Sequence, residues 1–330
     1  MKLTKSFTMA EILISLTIIG IIAAITLPSL VGNINEKTWA TQKKALYSRM
    51  SQAIALMPSL NGYSVDSTDE TNTANNAAMA FINDGLAKVL QINNICDSAN
   101  LKKCGLPDKI KTIDGSSQIT TPTDLHGLNS RMDGSHSYTI PNFPQHNYSF
   151  SIMNTKTAAF ETKNGESILV FYNPYCATRE MLFGNNEHYY PSAPYLCANF
   201  VYDLNGRKGP NQVGKDIGFM GVLYSVNSEL VAPNFFKQDL NVTTSTYAEA
   251  YAACRDKGGR LPNLEEGMVL YVNEYLLNTG YNDNDKFHHL QVEPNKRTIA
   301  NIKLGISAKF GILTTLNHDT NAYLIRCVEK

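Results

Sequence analysis

Six cysteines are the residues of this chain best equipped for chemistry: Cys96, Cys104, Cys176, Cys197, Cys254 and Cys327. None stands in a C-x-x-C spacing, which zinc and thioredoxin-like sites ordinarily need because neighbouring ligands must converge on one centre. An even count without that spacing points to disulfides, and disulfides point to an oxidising compartment. Neighbourhood in the sequence favours Cys96–Cys104, Cys176–Cys197 and Cys254–Cys327 among the many pairings six thiols allow. Catalytic constellations are missing: there is no H-E-x-x-H, no G-x-S-x-G and no phosphate-cradling G-x-x-x-x-G-K-S/T. His288 and His289 are adjacent, so on a regular helix or strand their side chains diverge. Glu265 and Glu266 read as a solvated helix start. The expectation is a binding or structural protein, not an enzyme.

One acid stands out by position. Glu11 precedes a run from Ile12 to Asn35 that carries no charged residue and is rich in Ile, Leu and Ala. About 20 helical residues, at roughly 1.5 Å each, span a hydrocarbon layer of roughly 30 Å. Lys2 and Lys5 lie just before the run, and the positive-inside bias then sends the rest of the chain outward. This agrees with the disulfides by an independent route. A cleaved secretory signal has a shorter apolar core and a small-x-small cut site, and a lipoprotein needs a cysteine after the apolar stretch, whereas the first is Cys96. A carboxylate inside a membrane helix costs at most about 2.5–3.5 kcal/mol when central, and less near the interface. It calls for a partner.

The run Phe7-Thr8-Met9-Ala10-Glu11-Ile12-Leu13-Ile14, after a basic leader ending in Ser6, resembles the prepilin N-terminus of type IV pilins and type II secretion pseudopilins. The resemblance implies cleavage by a prepilin peptidase between Ser6 and Phe7, followed by methylation of the new amino group. Ser6 is a departure, since the family usually has glycine there. The resemblance also places the family's assembly glutamate at Glu11, paired with the N-terminal amine of a neighbouring subunit. An ammonium–carboxylate pair in an apolar fibre core offsets two desolvation costs and fixes axial register. Gly20 and Pro28 match positions where family helices carry a helix-weakening residue. The implied partners are the prepilin peptidase, other pilin or pseudopilin subunits and the inner-membrane assembly platform. The implied location is the inner membrane as a single-pass precursor, then a periplasmic or surface filament.

The elements that would carry these features follow from composition and period. With 330 residues and 43% hydrophobic content, the chain has room for folded modules beyond an anchor. Lys+Arg and Asp+Glu are equal at 29 each, so no global field attracts nucleic acid, and none is expected as a partner. Trp39, Leu46, Met50, Ala53, Ile54 and Met57 recur at helical spacing, which predicts an amphipathic stem that Pro58 stops. Residues 64–78 read as a polar loop, and 79–92 as a short helix. Residues 136–172, Asn199–Asp203 and Gly218–Val226 read as strands of one antiparallel sheet. The expected class is α+β: leader 1–6, transmembrane and stem helix 7–58, pilin-like head 59–239, and a C-terminal module 240–330.

That last segment resembles the C-type-lectin-like fold at its two ends: an Ala-rich helix with Cys254 before Arg260-Leu261-Pro262, and a final AYLIRCVEK with Cys327. The resemblance implies an adhesive alternative, a tip subunit that binds a surface glycan or protein. Glu293, Asn295, Asn317 and Asp319 match the calcium-and-sugar positions of some C-type lectins, with Leu316 where that family has tryptophan. A second calcium candidate is the segment Asp203-Leu204-Asn205-Gly206-Arg207-Lys208-Gly209-Pro210-Asn211, similar to one in prepilin-like secretion proteins. Asp203, Asn205 and Asp216 are its oxygen donors. The same residues make a good turn, and the turn is the favoured expectation because an EF-hand loop needs a terminal glutamate.

Overall fold

The computed structural model describes residues 9–62, 65, 77–113, 115, 118–120, 156–177, 195–224, 228–232, 240–244, 247–273, 276, 287–289, 304–307, 313–315, 323–325 and 327–329. The chain forms two units, residues 1–46 and 47–330. The first helix, α1, runs unbroken from Met9 to Asn61 through Gly20 and Pro28. Its window Met9–Thr26 has a mean hydropathy of 2.2, with none of it buried, and is long and apolar enough to cross a membrane or act as a signal. The hydroxyls of Ser15, Thr17 and Thr26 donate to the carbonyls one turn back, Glu11, Leu13 and Ile22. Those bonds keep polar groups satisfied within an oily helix.

In the larger unit the stem buries Met50, Ala53, Ile54 and Met57, the expected stripe. Pro58 does not stop the helix. A proline forfeits its own N–H bond and crowds the carbonyl one turn back, yet the helix runs on to Asn61 and the Pro58 carbonyl accepts the Gly62 amide at 3.2 Å. Gly62 in the left-handed conformation (φ 66°) is the actual terminator. A short helix α2 (Ala77–Ala80) follows, then a π turn Phe81–Gly85 and a 3-10 turn Leu86–Lys88. The expected helix over 79–92 is thus a broken one, and Gly85 at φ −94°, ψ −83° marks the break.

The strands are β1 (Ile92–Cys96), β2 (Lys109–Lys111), β3 (Gln118–Thr120), β4 (Lys156–Thr162), β5 (Ser167–Ala177), β6 (Tyr195–Asp203), β7 (Ile217–Tyr224) and β8 (Ser228–Val231). After them come β9 (Leu240–Thr244), α3 (Tyr247–Asp256), β10 (Gly259–Arg260), α4 (Leu264–Val272), β11 (Phe287–His289), β12 (Leu304–Ser307), β13 (Leu313–Thr315), β14 (Tyr323–Ile325) and β15 (Val328–Glu329). The main sheet is six-stranded and antiparallel, in the order β1-β4-β5-β6-β7-β8. Residues Ile168–Tyr172 of β5 are apolar without alternation, the signature of a strand covered on both faces. On one face Phe81 stacks on Tyr172 at 4.4 Å and lies 6.3 Å from Phe200. On the other, Leu169, Phe171, Val201 and Phe219 join Val269, Leu270 and Val272 of α4 in one core.

Two devices fix α4 against the sheet. Asn199 and Asn273, both wholly buried, exchange amide hydrogen bonds at 2.9 and 2.8 Å. Asn273 also donates to the Val269 carbonyl, so neither buried amide strands its donor. Gly221 lets the backbones approach: a Cβ there would lie 2.7 Å from Val269 Cγ2 and 3.0 Å from Leu196 Cδ1. At its start α4 has a reciprocal cap, Asn263 Oδ1 accepting from Glu266 N and Glu266 Oε2 from Asn263 N. Arg260 grips the same carboxylate with two bonds of 2.7 Å. Glu266 is therefore a buried structural acid and not a solvated helix start. Disulfides Cys96–Cys104 and Cys254–Cys327 are formed, and β9 pairs with β14 and β10 with β15.

Gly221→Val should force α4 from the sheet and lower stability by roughly 1–3 kcal/mol. Thermal melting of the full chain in detergent reads this out, and an unchanged melting temperature would contradict the packing described.

Candidate functional site

The β6–β7 connection is the most elaborately built loop among the described residues. Asp203, at the end of β6, accepts the Asn205 amide on Oδ1 at 3.0 Å, an Asx turn that Gly206 (φ 65°) continues. Asn205 Nδ2 donates to the Gly209 carbonyl at 3.3 Å. At the far end Asp216 accepts Asn211 N at 2.8 Å and Gln212 N at 2.9 Å, one on each oxygen. Asn211, with its amide nitrogen turned inward, donates to the Lys208 carbonyl at 3.1 Å and to Asp203 Oδ2 at 3.2 Å. The loop is also stitched outward: Lys111 N donates to Asn211 O and Val213 N to Lys111 O, beside Gln212 Nε2 on Ile113 O.

Both aspartates are buried, at 1% and 0% exposure. Burial pushes the Asp203 carboxyl up to about 8, against the Asn205 amide, and the nearby Asp216 carboxylate adds to the rise. Two buried side-chain oxygens near this loop lack a partner: Asn205 Oδ1 and Ser167 Oγ. Ser167 stands opposite Asp203 in the β5–β6 register. Its hydroxyl lies 3.6 Å from where a Cβ on Gly206 would stand, an ordinary contact, and it is the left-handed φ of 65° that calls for glycine there.

The sequence candidates Asp203, Asn205 and Asp216 are thus brought together in one loop. Four of the six carboxylate and amide oxygens and nitrogens that close it are engaged with backbone groups, and the fold uses them first as a turn. Among the described residues no three His, Cys, Asp or Glu converge as a metal cluster. Glu293, Asn295, Asn317, Asp319, Ser6 and Phe7 lie outside the described residues, as does the Cys176 side chain. Cys197 is disulfide-bonded. Glu11 occupies the first described turn of α1.

Sequence reasoning missed a second charged arrangement. Arg49 of the stem forms an ion pair with Glu166, 6% exposed, at the β4–β5 turn, and Thr162 Oγ1 shares that carboxylate. Tyr47 Oη donates to the Leu230 carbonyl at 3.0 Å. The two partners of Arg49 and Glu166 stand 117 residues apart, and nothing local in the sequence links them.

Asp203 gives a pH prediction. An acid whose carboxyl rises from 3.8 unfolded to about 8 folded holds its proton longer in the native state. The Asp203 contribution to native stability is then fullest below pH 4, declines as pH rises toward 8, and levels off above it. Asp203→Asn keeps an oxygen for the Asn205 amide and removes the titration, so the melting temperature of the variant should fall less between pH 5 and pH 8. Parallel melting curves of the two proteins across that range would contradict the buried neutral acid.

Comparison with protein-family models, with curated proteins and with solved structures gives no match to this chain.

Proposed function

We propose that this chain is a structural subunit, a minor pilin or pseudopilin, of a type IV pilus or type II secretion filament. The single observation carrying this is the exposed apolar helix Met9–Thr26, headed by Glu11 and continuous with the stem that enters the folded unit. An apolar surface of that length, unburied by the chain itself, needs a membrane or other helices around it. Glu11 then serves as the acid that meets a neighbour's N-terminal amine, and cleavage before Phe7 by prepilin peptidase creates that amine. The assembly platform of the inner membrane and related subunits are its partners. N-terminal sequencing of membrane-extracted protein should begin at a methylated Phe7. An intact Met1 in cells with active prepilin peptidase defeats the processing. Glu11→Ala should stay in the membrane and drop at least about tenfold in sheared filaments, whereas undiminished recovery defeats the role of the acid.

A second role, adhesion by the region 240–330, is favoured by how that region is closed. The Cys254–Cys327 bridge and the β9–β14 and β10–β15 pairs draw its two ends together, as a C-type-lectin-like module requires. In the chain-entropy model, a separation of 73 residues is worth roughly 4–4.5 kcal/mol. Calcium would be held by Asp203, Asn205 and Asp216, with the unpartnered Asn205 Oδ1 as the open donor, or by Glu293, Asn295, Asn317 and Asp319. Melting and glycan-array binding of the full chain, each in calcium and in chelator, test both sites. A calcium-raised melting temperature with chelator-sensitive glycan binding is expected for the adhesive role, and the absence of both removes it.

A further inference from the structure

Equal totals of acid and base say nothing about where the charges stand. At one end of the main sheet they are segregated. The disulfide loop Cys96–Cys104 presents Lys102 and Lys103, both exposed. Arg207 of the β6–β7 loop donates from Nη2 to the Lys102 carbonyl, which brings the two loops together. Lys109 and Lys111 flank buried Ile110 on β2, so both point away from the core. That strand is hydrogen-bonded to residues 211–213 of the same loop, on which Lys208 and Lys215 also stand. The β4–β5 turn arrives with Lys163: the Gly165 carbonyl is 3.7 Å from a Cβ built on Gly206.

Eight cations therefore meet there, six of them exposed and Lys111 and Lys215 half-buried. The acids on the same segments count for less. Glu166 is neutralised by Arg49, and Asp203 and Asp216 lie buried. Asp97 and Asp108 are exposed and Glu161 is half-buried. Asp108 already answers Lys102, at 2.6 Å. Among the described residues a positive surface remains.

We propose that this end of the head is a docking surface for duplex DNA, held through its phosphates and without reading its sequence. Seven of the eight cations are lysines, compact point charges that meet backbone phosphates without fixing one geometry, as binding that does not read sequence requires. The exposed large apolar side chains among the described residues all lie elsewhere, on α1 and at Tyr251. A surface that seats itself in a bilayer brings apolar groups to insert, and a purely electrostatic hold on anionic lipid is told apart by the vesicle arm of the test below. A protein interface brings aromatic or aliphatic anchors, and a single-strand site brings aromatics for stacking. A regular, densely charged duplex needs none of these. The inference stands on charge placement alone and does not depend on the pilin reading.

The test is fluorescence anisotropy of a labelled 30-base-pair duplex with full-length protein in neutral detergent. With about four phosphates engaged, affinity should fall roughly 100-fold between about 50 and 200 mM salt. The exposed triple variant Lys103→Gln, Lys109→Gln, Lys208→Gln should weaken binding at least about tenfold at low salt and flatten the salt slope, with its melting temperature unchanged. If that variant does not fold, Lys163→Gln with Lys215→Gln takes its place. Lys88→Gln with Lys257→Gln, exposed lysines elsewhere, should bind as wild type. No duplex binding at low salt overturns the proposal. So does equal loss in the control pair, or tighter binding to phosphatidylglycerol vesicles or to polygalacturonate than to the duplex.

Discussion

A sheet that is apolar on both faces has to be covered twice, and nearly everything in the larger unit follows from that. The central strands carry Phe160, Ile168, Val170, Tyr172 and Phe200 on one side and Leu169, Phe171, Val201 and Phe219 on the other. Water on either face would forfeit the burial that drives folding, at roughly 25 cal/mol per Å². The segment around Phe81 closes the first side. The second is closed by a helix from nearly a hundred residues beyond β5, held by the Asn199–Asn273 amide pair and by the close approach at Gly221.

Much of this was legible in the sequence. The apolar run after Glu11, the buried stripe Met50–Ala53–Ile54–Met57, and the α+β order with an antiparallel sheet all follow from period and composition. What escaped was what depends on distant partners. Glu266 reads as a solvated acid because its neighbours are polar, yet Arg260 and the helix cap hold it inside. Pro58 reads as a stop, but near the end of a helix its lost N–H costs a single bond, and its carbonyl still takes the Gly62 amide. The region 240–330 reads as a C-terminal module, and the packing of α4 within it against the core of the main sheet had no local signal.

The β6–β7 loop shows a different economy. Asp203 and Asp216 each supply oxygens to backbone amides that have no strand to pair with, the service a neighbouring strand would otherwise give. Placing two carboxylates in that role inside the protein raises the proton affinity of one of them. Loop architecture and electrostatics are then one problem: the outward lysines stand on a scaffold whose own acids face inward.

The position of α4 in the chain has a consequence for how the molecule comes into being. Strands β4 to β8 end at Val231, and α4 begins at Leu264. During synthesis from the N-terminus, the sheet can pair its strands while one whole face still waits for its lid. Until the last quarter of the polypeptide arrives, Leu169, Phe171, Val201 and Phe219 form a sticky, unfinished surface. A transcript cut short before that point yields not a smaller version of the head but an aggregation-prone half-product.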